Sequence, residues 1–512
     1  MQRLAGPIRL AATAGDLYVM MALLNDRKFQ LIFLVYSMIL LFWGRQLDGG
    51  LTNFDDAFYA QKATEIFSSK SLWLVTYHGN PSFENPPLIF WMMALGYKMF
   101  GVSTYAAIFF PALLGLGTVL TTYAFARNLY GDWVAFFSAI VLIFPGMFLD
   151  GARRAMLDVP LAFFVTAALF AFWKARSNPK YFLLYGLFTA FGVWTKSVLG
   201  FFPLVIGFVY LLCGGGWRGL LNKGFWAGAV VGVSAGSIWY IVNWLEYGDY
   251  FYQSHFGRPH MTLFGASFGT GGDILFFLGY IRDFWKTHWP WFPLAVAGLY
   301  VFGRKAWKEK DEKALLLFLW PVVVFAIMSL SANQTLRYLF MIFPPLAIVT
   351  AKFIGDWATP VWRDRLVCIG MGSVMAGAIV INSTPAEIKV TLKPSSVEVR
   401  LLSRIINLNV DPGGMLYSYK LSKWNPRHAV VFYTDRYFEY PISDPEELFE
   451  TIKKNPRSTW LTATFRWKEL DAAYPGKFYL IQAEKTYAYF TSMENRKNVI
   501  YDFSAREVTA VR

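Results

Sequence analysis

The 512-residue sequence predicts a mainly α-helical fold: a bundle of about eleven to thirteen membrane-spanning helices followed by a small soluble α/β domain. Hydrophobic residues make up 55% of the chain and charged residues 16%, whereas soluble proteins carry about 25% charged residues. Apolar segments long enough to cross a bilayer recur between residues 29 and 383. From residue 385 onward, charges become frequent and apolar runs shorten to strand length, so the sequence predicts two parts, 1–384 and 385–512.

About eleven segments approach the roughly 20 residues that a spanning helix needs. They lie near residues 29–46, 103–128, 132–150, 156–174, 180–196, 198–213, 224–245, 285–303, 314–331, 335–353 and 362–383. The shorter apolar segment 86–100 is expected to form either a helix half-buried in the membrane interface or a further span.

Lys and Arg residues in the short loops predict the orientation of the bundle, because such residues favour the cytoplasmic side. The basic stretches 174–180, 303–313 and 362–365 all fall on one face of the predicted topology. The loops 47–102 and 246–284, together with the part 385–512, are then expected on the outer face. In a bacterium this would be the periplasmic side of the inner membrane.

The net charge of +14 could suggest nucleic-acid binding, but the basic residues are scattered at segment ends. In a membrane protein, orientation and contact with anionic lipid head groups explain such charges better. We therefore expect membrane lipids as partners, and no nucleic acid. Cys213 and Cys368 are the two cysteines, which is too few for a cysteine metal cluster.

The part 385–512 contains alternating apolar patterns that predict short strands at 415–419, 429–434, 458–464 and 477–482. A helix is predicted to run to Lys454, with Ser443 as its N-cap and Glu446 completing a capping box. The sequence therefore predicts a small α/β domain without an obvious catalytic cluster of its own.

The first long loop carries the most informative chemistry, because it is polar and acidic between apolar segments. Its ionisable side chains include Asp55, Asp56, Glu65, His78 and Glu84. Exposed carboxylates directly after a membrane span favour an enzyme that works at a membrane surface. The alternative for Asp55 or Asp56 is structural, since Asp often caps the start of a helix.

Several ordered motifs resemble those of GT-C type membrane glycosyltransferases, especially the lipid A aminoarabinose transferases and the protein O-mannosyltransferases. These motifs are Asp55-Asp56-x-x-Tyr59-Ala60, Glu84-Asn85-Pro86-Pro87, Arg153-Arg154-x-x-x-Asp158, Trp194-Thr195-Lys196-Ser197, His255-Phe256-Gly257-Arg258 and Arg337-Tyr338 followed by Pro344-Pro345. The match covers roughly residues 29–355. It departs from the family at Asn85, where many lipid A transferases have lysine, and at Ser197, where glycine is common.

The resemblance implies that a sugar moves from a polyprenyl-phosphate donor to a cell-envelope acceptor, which could be lipid A, a glycan or a protein. The acceptor must lose a proton as it attacks the anomeric carbon, and Asp55 is the expected base. Asp158 lies in an otherwise apolar span, where an ionisable group suggests function. We expect Asp158 to position the acceptor or the Asp55 region, or to form an ion pair with Arg153 or Arg154.

The leaving phosphate gains negative charge, which cationic side chains fixed nearby would stabilise. The expected phosphate ligands are Lys196, Arg258 and Arg337, with hydrogen bonds from Tyr59 and Tyr338. The alternative for each of these is an anchor in the membrane interface. The resemblance to the lipid A transferases also implies one divalent metal ion, held by Glu84 and His255.

Two other function classes remain open at this stage. A transporter or flippase of a lipid-linked glycan also needs many spans and intramembrane charges, although such proteins often contain internal repeats that the sequence lacks. A receptor that senses through its C-terminal part is the third possibility, but it leaves Asp55, Asp158, Lys196 and Arg337 unexplained.

Overall fold

The structure is a computed structural model that describes residues 26–44, 51, 54–69, 71–144, 146–257, 275–329, 335–383, 394–421 and 426–500. Within these ranges the chain is dominated by helices. The predicted boundary between the two parts, at residues 384 and 385, lies outside the described residues.

In the part of residues 26–257 that the structure describes, the chain forms eleven α-helices and one short hairpin. They are α1 (Arg27–Met38), α2 (Phe54–Glu65), β1 (Thr76–Tyr77), β2 (Asn80–Pro81), α3 (Leu88–Phe100), α4 (Thr104–Tyr130), α5 (Asp132–Ile143), α6 (Gly146–Ala152), α7 (Asp158–Lys174), α8 (Tyr181–Lys196), α9 (Phe202–Gly219), α10 (Lys223–Gly236) and α11 (Ile238–Tyr252). A π-helical turn, Gln253–Gly257, follows α11.

The next segment continues the helical bundle. It contains α12 (Leu275–Thr287), α13 (Trp291–Lys308), α14 (Glu312–Ser329), the 3-10 helix Leu336–Ile342, α15 (Phe343–Trp357) and α16 (Pro360–Ser383).

The C-terminal unit then follows, as α17 (Pro394–Asn409), β3 (Tyr417–Ser418), α18 (Arg427–Thr434), α19 (Pro445–Lys454), β4 (Thr459–Ala463), α20 (Thr464–Ala473), β5 (Phe478–Ala483) and β6 (Tyr487–Ser492).

The helices make this a multi-pass membrane protein. Among the described residues, six helical stretches are long and apolar enough to cross a membrane, or seven if the bent pair α5–α6 counts as one span. Where the structure describes them, all eleven predicted spans overlap helices, but fewer than eleven meet the length and composition requirement. The reason is that several spans are short or broken: α7 has 17 residues, and α5 meets α6 at 77°.

Contacts between connecting segments identify the two ends of the bundle. At one end the predicted basic loops meet: Arg176 after α7 pairs with Glu312 at the start of α14, and the Lys313 ammonium donates to the Leu129 carbonyl at 2.9 Å. At the other end α7 begins with Asp158 and α4 begins with Thr104, which contacts the C-terminal unit through Tyr433. The Arg176–Glu312 contact therefore joins two of the predicted basic stretches, 174–180 and 303–313.

The C-terminal unit contains a four-stranded sheet in the order β3-β4-β6-β5, with β3 and β4 parallel and the other pairs antiparallel. Three predicted strands are confirmed as β3, β4 and β5, while β6 was not predicted. The strand expected at 429–434 is wrong, because this β-branched run lies in helix α18, where Ala429 and Val430 are buried. Tertiary burial here overrides the local preference for a strand.

The predicted helix ending at Lys454 is confirmed as α19, but its N-cap is Asp444 instead of Ser443. The Asp444 side chain accepts from the Glu446 backbone N–H, and Pro445 occupies the first helical position. Pro at this position fixes the residue before it as the cap, since Pro has no N–H to satisfy.

The C-terminal unit packs on α2 through α18. The Tyr433 hydroxyl accepts from the Leu51 backbone N–H at 2.9 Å, and the Tyr77 hydroxyl lies 2.6 Å from His428 Nδ1. Buried residues of both parts, such as Leu34 and Leu402, belong to one continuous hydrophobic core. The C-terminal unit therefore fixes the position of the first loop relative to the bundle.

Candidate active site

Helix α2 presents the acidic residue Asp55 and the basic residue Lys62 on one face. Asp55, Phe58, Lys62 and Glu65 are spaced three or four residues apart, so their side chains line up along the helix. Asp55 and Asp56 lie in the first turn, where the exposed N–H groups and the helix dipole favour negative charge. The structural alternative for these aspartates is therefore compatible with a functional role.

Asp55 forms an ion pair with Arg337, with Oδ2 and the guanidinium NH2 atom 2.5 Å apart. Arg337 reaches Asp55 from the 3-10 helix that leads into α15, and its side chain is 28% exposed. The Arg337 Nε atom is buried and has no hydrogen-bond partner among the described residues. Since a buried unpaired donor is costly, this nitrogen is available for an anion that the structure does not contain.

Asp158 forms an ion pair with Lys196, not with Arg153 or Arg154 as weighed from the sequence. Asp158 begins α7 and Lys196 ends α8, and the Lys196 ammonium also lies 4.4 Å from the centre of the Tyr338 ring. Arg154 instead contacts Asp56 at 3.4 Å. The two aspartates of the predicted site are thus each held by a predicted phosphate ligand.

Tyr59 is buried between these charged groups. Burial raises the pKa of its hydroxyl, and the nearby carboxylates of Asp55 and Asp158 raise it further. Its hydroxyl accepts from the Asn85 side chain at 3.3 Å. Asn85, one of the two departures from the family pattern, therefore contacts a predicted site residue directly.

Lys62 and Glu84 form a second link between α2 and the first loop, with 2.7 Å between Nζ and Oε2. The Lys62 side chain is fully enclosed, whereas the Glu84 side chain is 44% exposed. Burial alone would raise the pKa of Glu84, but the Lys62 charge and hydrogen bonds from Lys62 and Ser82 lower it to about 2. Glu84 is therefore ionised, and its negative charge compensates the positive charge of Lys62.

Glu65 fixes the other end of the same helix face. Its carboxylate accepts from the Thr76 hydroxyl at 2.8 Å, the His78 backbone N–H at 2.7 Å and the Tyr437 hydroxyl at 2.5 Å. The β1–β2 hairpin and the C-terminal unit are therefore both attached to α2. The spacing that puts these side chains on one face of α2 is visible in the sequence. Their partners are not, since Tyr437, for example, is 372 residues from Glu65.

His255 joins the first loop to the end of α8. Its Nδ1 lies 2.6 Å from the Phe83 carbonyl and its Nε2 lies 3.0 Å from the Ser197 hydroxyl. Since a carbonyl only accepts, Nδ1 donates, and in the neutral ring Nε2 then accepts. Ser197 has φ 55°, a region that favours glycine, and its hydroxyl also contacts Tyr240 at 2.7 Å.

These contacts do not fit the predicted metal site. The Nε2 lone pair of His255 already accepts from Ser197, and the Glu84 carboxylate already neutralises Lys62. Within the described ranges, no group of three His, Cys, Asp or Glu side chains could hold a metal ion. Arg258, the third predicted phosphate ligand, lies outside the described residues.

Tyr280 on α12 is a candidate that the sequence analysis missed. Its hydroxyl is buried without a partner among the described residues. Burial raises the pKa of this hydroxyl, and the nearby Tyr338 raises it further. The Tyr280 ring lies 6.1 Å from Phe325, centre to centre. No sequence signal distinguishes Tyr280 from the other 27 tyrosines, because its orphaned hydroxyl is created by packing.

An apolar cavity of about 390 Å³ lies among helices α12 to α15, and Ile281, the residue after Tyr280, belongs to its lining. Its lining contains no exposed polar surface. The lining includes Ile281, Phe284, Phe292, Val322, Phe325 and Ile342. Ile342 ends the same 3-10 helix that carries Arg337, so one short element connects the charged site to an apolar cavity.

Comparison with known proteins identifies the fold. The crystal structure of ArnT from Cupriavidus metallidurans bound to undecaprenyl phosphate superimposes with a TM-score of 0.70 over 90% of this chain and 97% of that chain, at 18% identity. The chain has the GT-C fold. The family model of dolichyl-phosphate-mannose-protein mannosyltransferase matches residues 84–241. The resemblance to GT-C type glycosyltransferases that the sequence motifs predict is confirmed.

Curated relatives match a part of the chain. An uncharacterized protein of Aquifex aeolicus is 28% identical over 306 residues, which are 59% of each chain. An undecaprenyl phosphate-alpha-4-amino-4-deoxy-L-arabinose arabinosyl transferase of Pseudomonas paraeruginosa is 26% identical over 58% of this chain and 54% of its own. The chain therefore spans a little over half the length of these relatives.

The Lys62–Glu84 pair yields a stability prediction. Glu84→Gln leaves an enclosed ammonium without its counter-charge, which should lower the free energy of unfolding by on the order of 3 kcal/mol. The double variant Lys62→Met/Glu84→Gln should recover most of this loss. Thermal unfolding of the detergent-solubilised protein measures both effects. Glu469→Gln, which removes an exposed partner of Arg466, is the control, and an equal effect of the two single variants would contradict the prediction.

The His255 contacts yield a second prediction. His255→Phe leaves the Phe83 carbonyl without its ring N–H donor, which should cost about 1–3 kcal/mol, while the Ser197 hydroxyl keeps its contact with Tyr240. Thermal unfolding should therefore occur at a lower temperature, while a chelator should leave the unfolding of the unmodified protein unchanged. If the chelator destabilised the unmodified protein as much as His255→Phe does, a metal-binding role would replace the hydrogen-bonding one.

Proposed function

We propose that this chain is an integral-membrane glycosyltransferase that moves a sugar from a polyprenyl-phosphate donor to a cell-envelope acceptor. The observation that carries this proposal is the Asp55–Arg337 pair with an unpartnered Arg337 Nε beside it. A carboxylate that can take a proton and a cation that can hold a leaving phosphate thus lie in contact. The names of the GT-C relatives, which include undecaprenyl-phosphate sugar transferases, support the same chemistry.

The donor phosphate would bind at Arg337 and Tyr280. Both offer a buried donor that lacks a partner among the described residues, Nε of Arg337 and the hydroxyl of Tyr280. Five N–H donors allow one guanidinium to hold the phosphate and Asp55 together. Lys196 and Tyr338 lie beside this position and add a second cation and a hydroxyl.

The polyprenyl tail would lie in the apolar cavity that Ile281 and Ile342 line. Arg337 and Ile342 are five residues apart on a 3-10 helix, which corresponds to a rise of about 10 Å. A lipid phosphate bound at Arg337 could therefore extend its first apolar units past Ile342. An apolar lining is what an isoprenoid chain requires, since burying apolar surface is favourable and the lining has no polar group to desolvate.

The reaction would be a direct displacement with inversion at the anomeric carbon. The acceptor hydroxyl or amine attacks that carbon and passes its proton to Asp55, while the bond between the anomeric carbon and the phosphate oxygen breaks. The electron pair of this bond leaves with the polyprenyl phosphate. Arg337 stabilises the charge that develops there, because a donor fixed before the reaction needs no reorganisation. Asp158 holds Lys196 in position for the same phosphate.

The proposed site faces outward, on the periplasmic side of a bacterial inner membrane. The end of the bundle that carries Arg176 and Lys313 is enriched in basic residues, as cytoplasmic ends are. Asp158 and Lys174 terminate α7 at opposite ends, roughly 24 Å apart by the helical rise. The charged site and the C-terminal unit therefore lie together, away from the basic end.

Asp55→Asn should abolish most transfer, because the amide cannot accept a proton. We expect a loss of about a hundredfold or more in the rate, measured as release of free polyprenyl phosphate from a panel of polyprenyl-phosphate sugars with an envelope extract. Asp150→Asn, which alters a half-exposed partner of Arg154, is the matched control. Full activity of a folded Asp55→Asn variant would disprove the assignment. Binding of a lipid-linked glycan without any release would favour a transporter.

Tyr280→Phe should weaken donor binding by roughly tenfold to a hundredfold, since a hydrogen bond to a charged group contributes about 1.5–3 kcal/mol. The measurement is the Kd for polyprenyl phosphate in detergent. Tyr300→Phe serves as the control, because Tyr300 is 67% exposed on α13. Equal affinities of the two variants would remove Tyr280 from the phosphate site.

A further inference from the structure

A second cavity lies where the C-terminal unit meets the first loop. Its volume is about 440 Å³, within the roughly 300–1,000 Å³ range of small-molecule sites. Helix α2, the β1–β2 hairpin and helix α18 together form its walls. Its lining includes Phe58, Tyr77, Glu84, Arg427, His428 and Tyr437. Neither the proposed donor site nor the proposed reaction uses this cavity.

The lining of the cavity contains the carboxylate of Glu84, which is paired with Lys62, and the guanidinium of Arg427. Glu84 and Lys62 neutralise each other, and burial lowers the pKa of His428 to about 4, with the Arg427 charge lowering it further. His428 is therefore neutral at pH 7. Arg427 has no carboxylate partner among the described residues, and its guanidinium donates to the Glu439 carbonyl at 2.9 Å. A guanidinium in this setting favours a bound anion.

The remaining lining combines aromatic rings with hydrogen-bonding groups. The Phe58 ring centre lies 4.8 Å from both the Tyr77 and His428 ring centres, and Tyr437 stacks on His78 at 3.9 Å. The polar groups are the Glu84 carboxylate and the side chains of Ser82 and Asn80. Aromatic faces are electron-rich and attract the partly positive C–H groups of a sugar ring, while the polar groups match its hydroxyls.

The cavity is one helical turn from the proposed base. Phe58 follows Asp55 by three residues on the same face of α2, a rise of about 4.5 Å. A molecule that presents a hydroxyl or amine to Asp55 would therefore reach the cavity with its next sugar unit. The cavity is thus placed to hold the acceptor and not the donor, whose proposed phosphate site lies at Arg337 and Tyr280.

We propose that this cavity binds an anionic sugar unit of the acceptor, and that Arg427 of the C-terminal unit is its anion-binding residue. That the bound sugar belongs to the acceptor rests on the proposed glycosyltransferase function. The binding site itself does not depend on that function. It gives the C-terminal unit a direct part in choosing the acceptor. It also disfavours a peptide acceptor, because one guanidinium among aromatic rings matches a charged sugar better than an extended backbone.

Binding can be tested on the full-length protein in detergent by calorimetric titration with glucose 1-phosphate, glucuronate, glucose and inorganic phosphate. Glucose 1-phosphate or glucuronate should bind at least tenfold more tightly than glucose and phosphate, and the tighter of the two identifies the anion. Arg427→Gln should weaken that binding roughly tenfold to a hundredfold, since it removes a charge-assisted hydrogen bond. Arg427→Lys, which keeps the charge, should have an intermediate effect.

Arg466→Gln is the matched control, because Arg466 is a half-exposed arginine of the same unit whose partner is Glu469. Equal effects of Arg427→Gln and Arg466→Gln, or equal binding of charged and uncharged sugars, would overturn the proposal. A polypeptide that competes with the sugars would do the same. If Arg427→Gln fails to fold, Arg427→Lys carries the comparison.

A transfer assay separates this inference from the proposed function. Arg427→Gln should raise the KM for the acceptor at least tenfold while the Kd for polyprenyl phosphate stays unchanged. Anion-selective sugar binding without any transferase activity would support the cavity as a sugar-binding site and would disprove the proposed glycosyltransferase function. Normal transfer kinetics in Arg427→Gln would disprove the role of the cavity and leave the glycosyltransferase intact.

Discussion

The ion pair between Lys62 and Glu84 is the interaction on which the site depends, because it fixes helix α2 against the first loop. Lys62 is fully enclosed, and an enclosed ammonium is tolerable only with a counter-charge. The pair therefore allows few positions for α2. Once α2 is fixed, the same face aims Asp55 at Arg337 and Glu65 at the hairpin and Tyr437. A structural pair thus sets the geometry of the groups proposed to carry the chemistry.

The charged site is balanced without a bound ligand. Each proposed phosphate-binding cation in the described residues has a protein carboxylate as partner, Arg337 with Asp55 and Lys196 with Asp158. This arrangement keeps four charges in a half-buried region without a large net field. A phosphate must then share Arg337 with Asp55, and the unpartnered Nε provides a place to do so. A phosphate bound at Arg337 would therefore change the environment of Asp55, the proposed base, through one guanidinium.

The C-terminal unit is joined to the membrane bundle by packing and by hydrogen bonds. Its helix α18 shares a hydrophobic core with the bundle, and its tyrosines bond to the first loop. The hydroxyl of Tyr437 reaches Glu65, and His428 reaches Tyr77. The boundary at residue 385 separates two compositions, while the contacts join the two parts at the place where an acceptor would enter.

The sequence by itself determined the membrane bundle and the α/β character of the C-terminal part, and it predicted Asp55 as a site residue, because hydrophobic periodicity and short motifs involve residues that are close in the chain. It did not determine the partners of those residues. Asp158 with Lys196, the His255 contacts and the orphaned hydroxyl of Tyr280 arise from segments far apart in the chain. The run 429–434 became helical for the same reason, since burial against α2 and α17 outweighs a local strand preference. Only tertiary packing decides which distant polar groups meet and which remain unpaired.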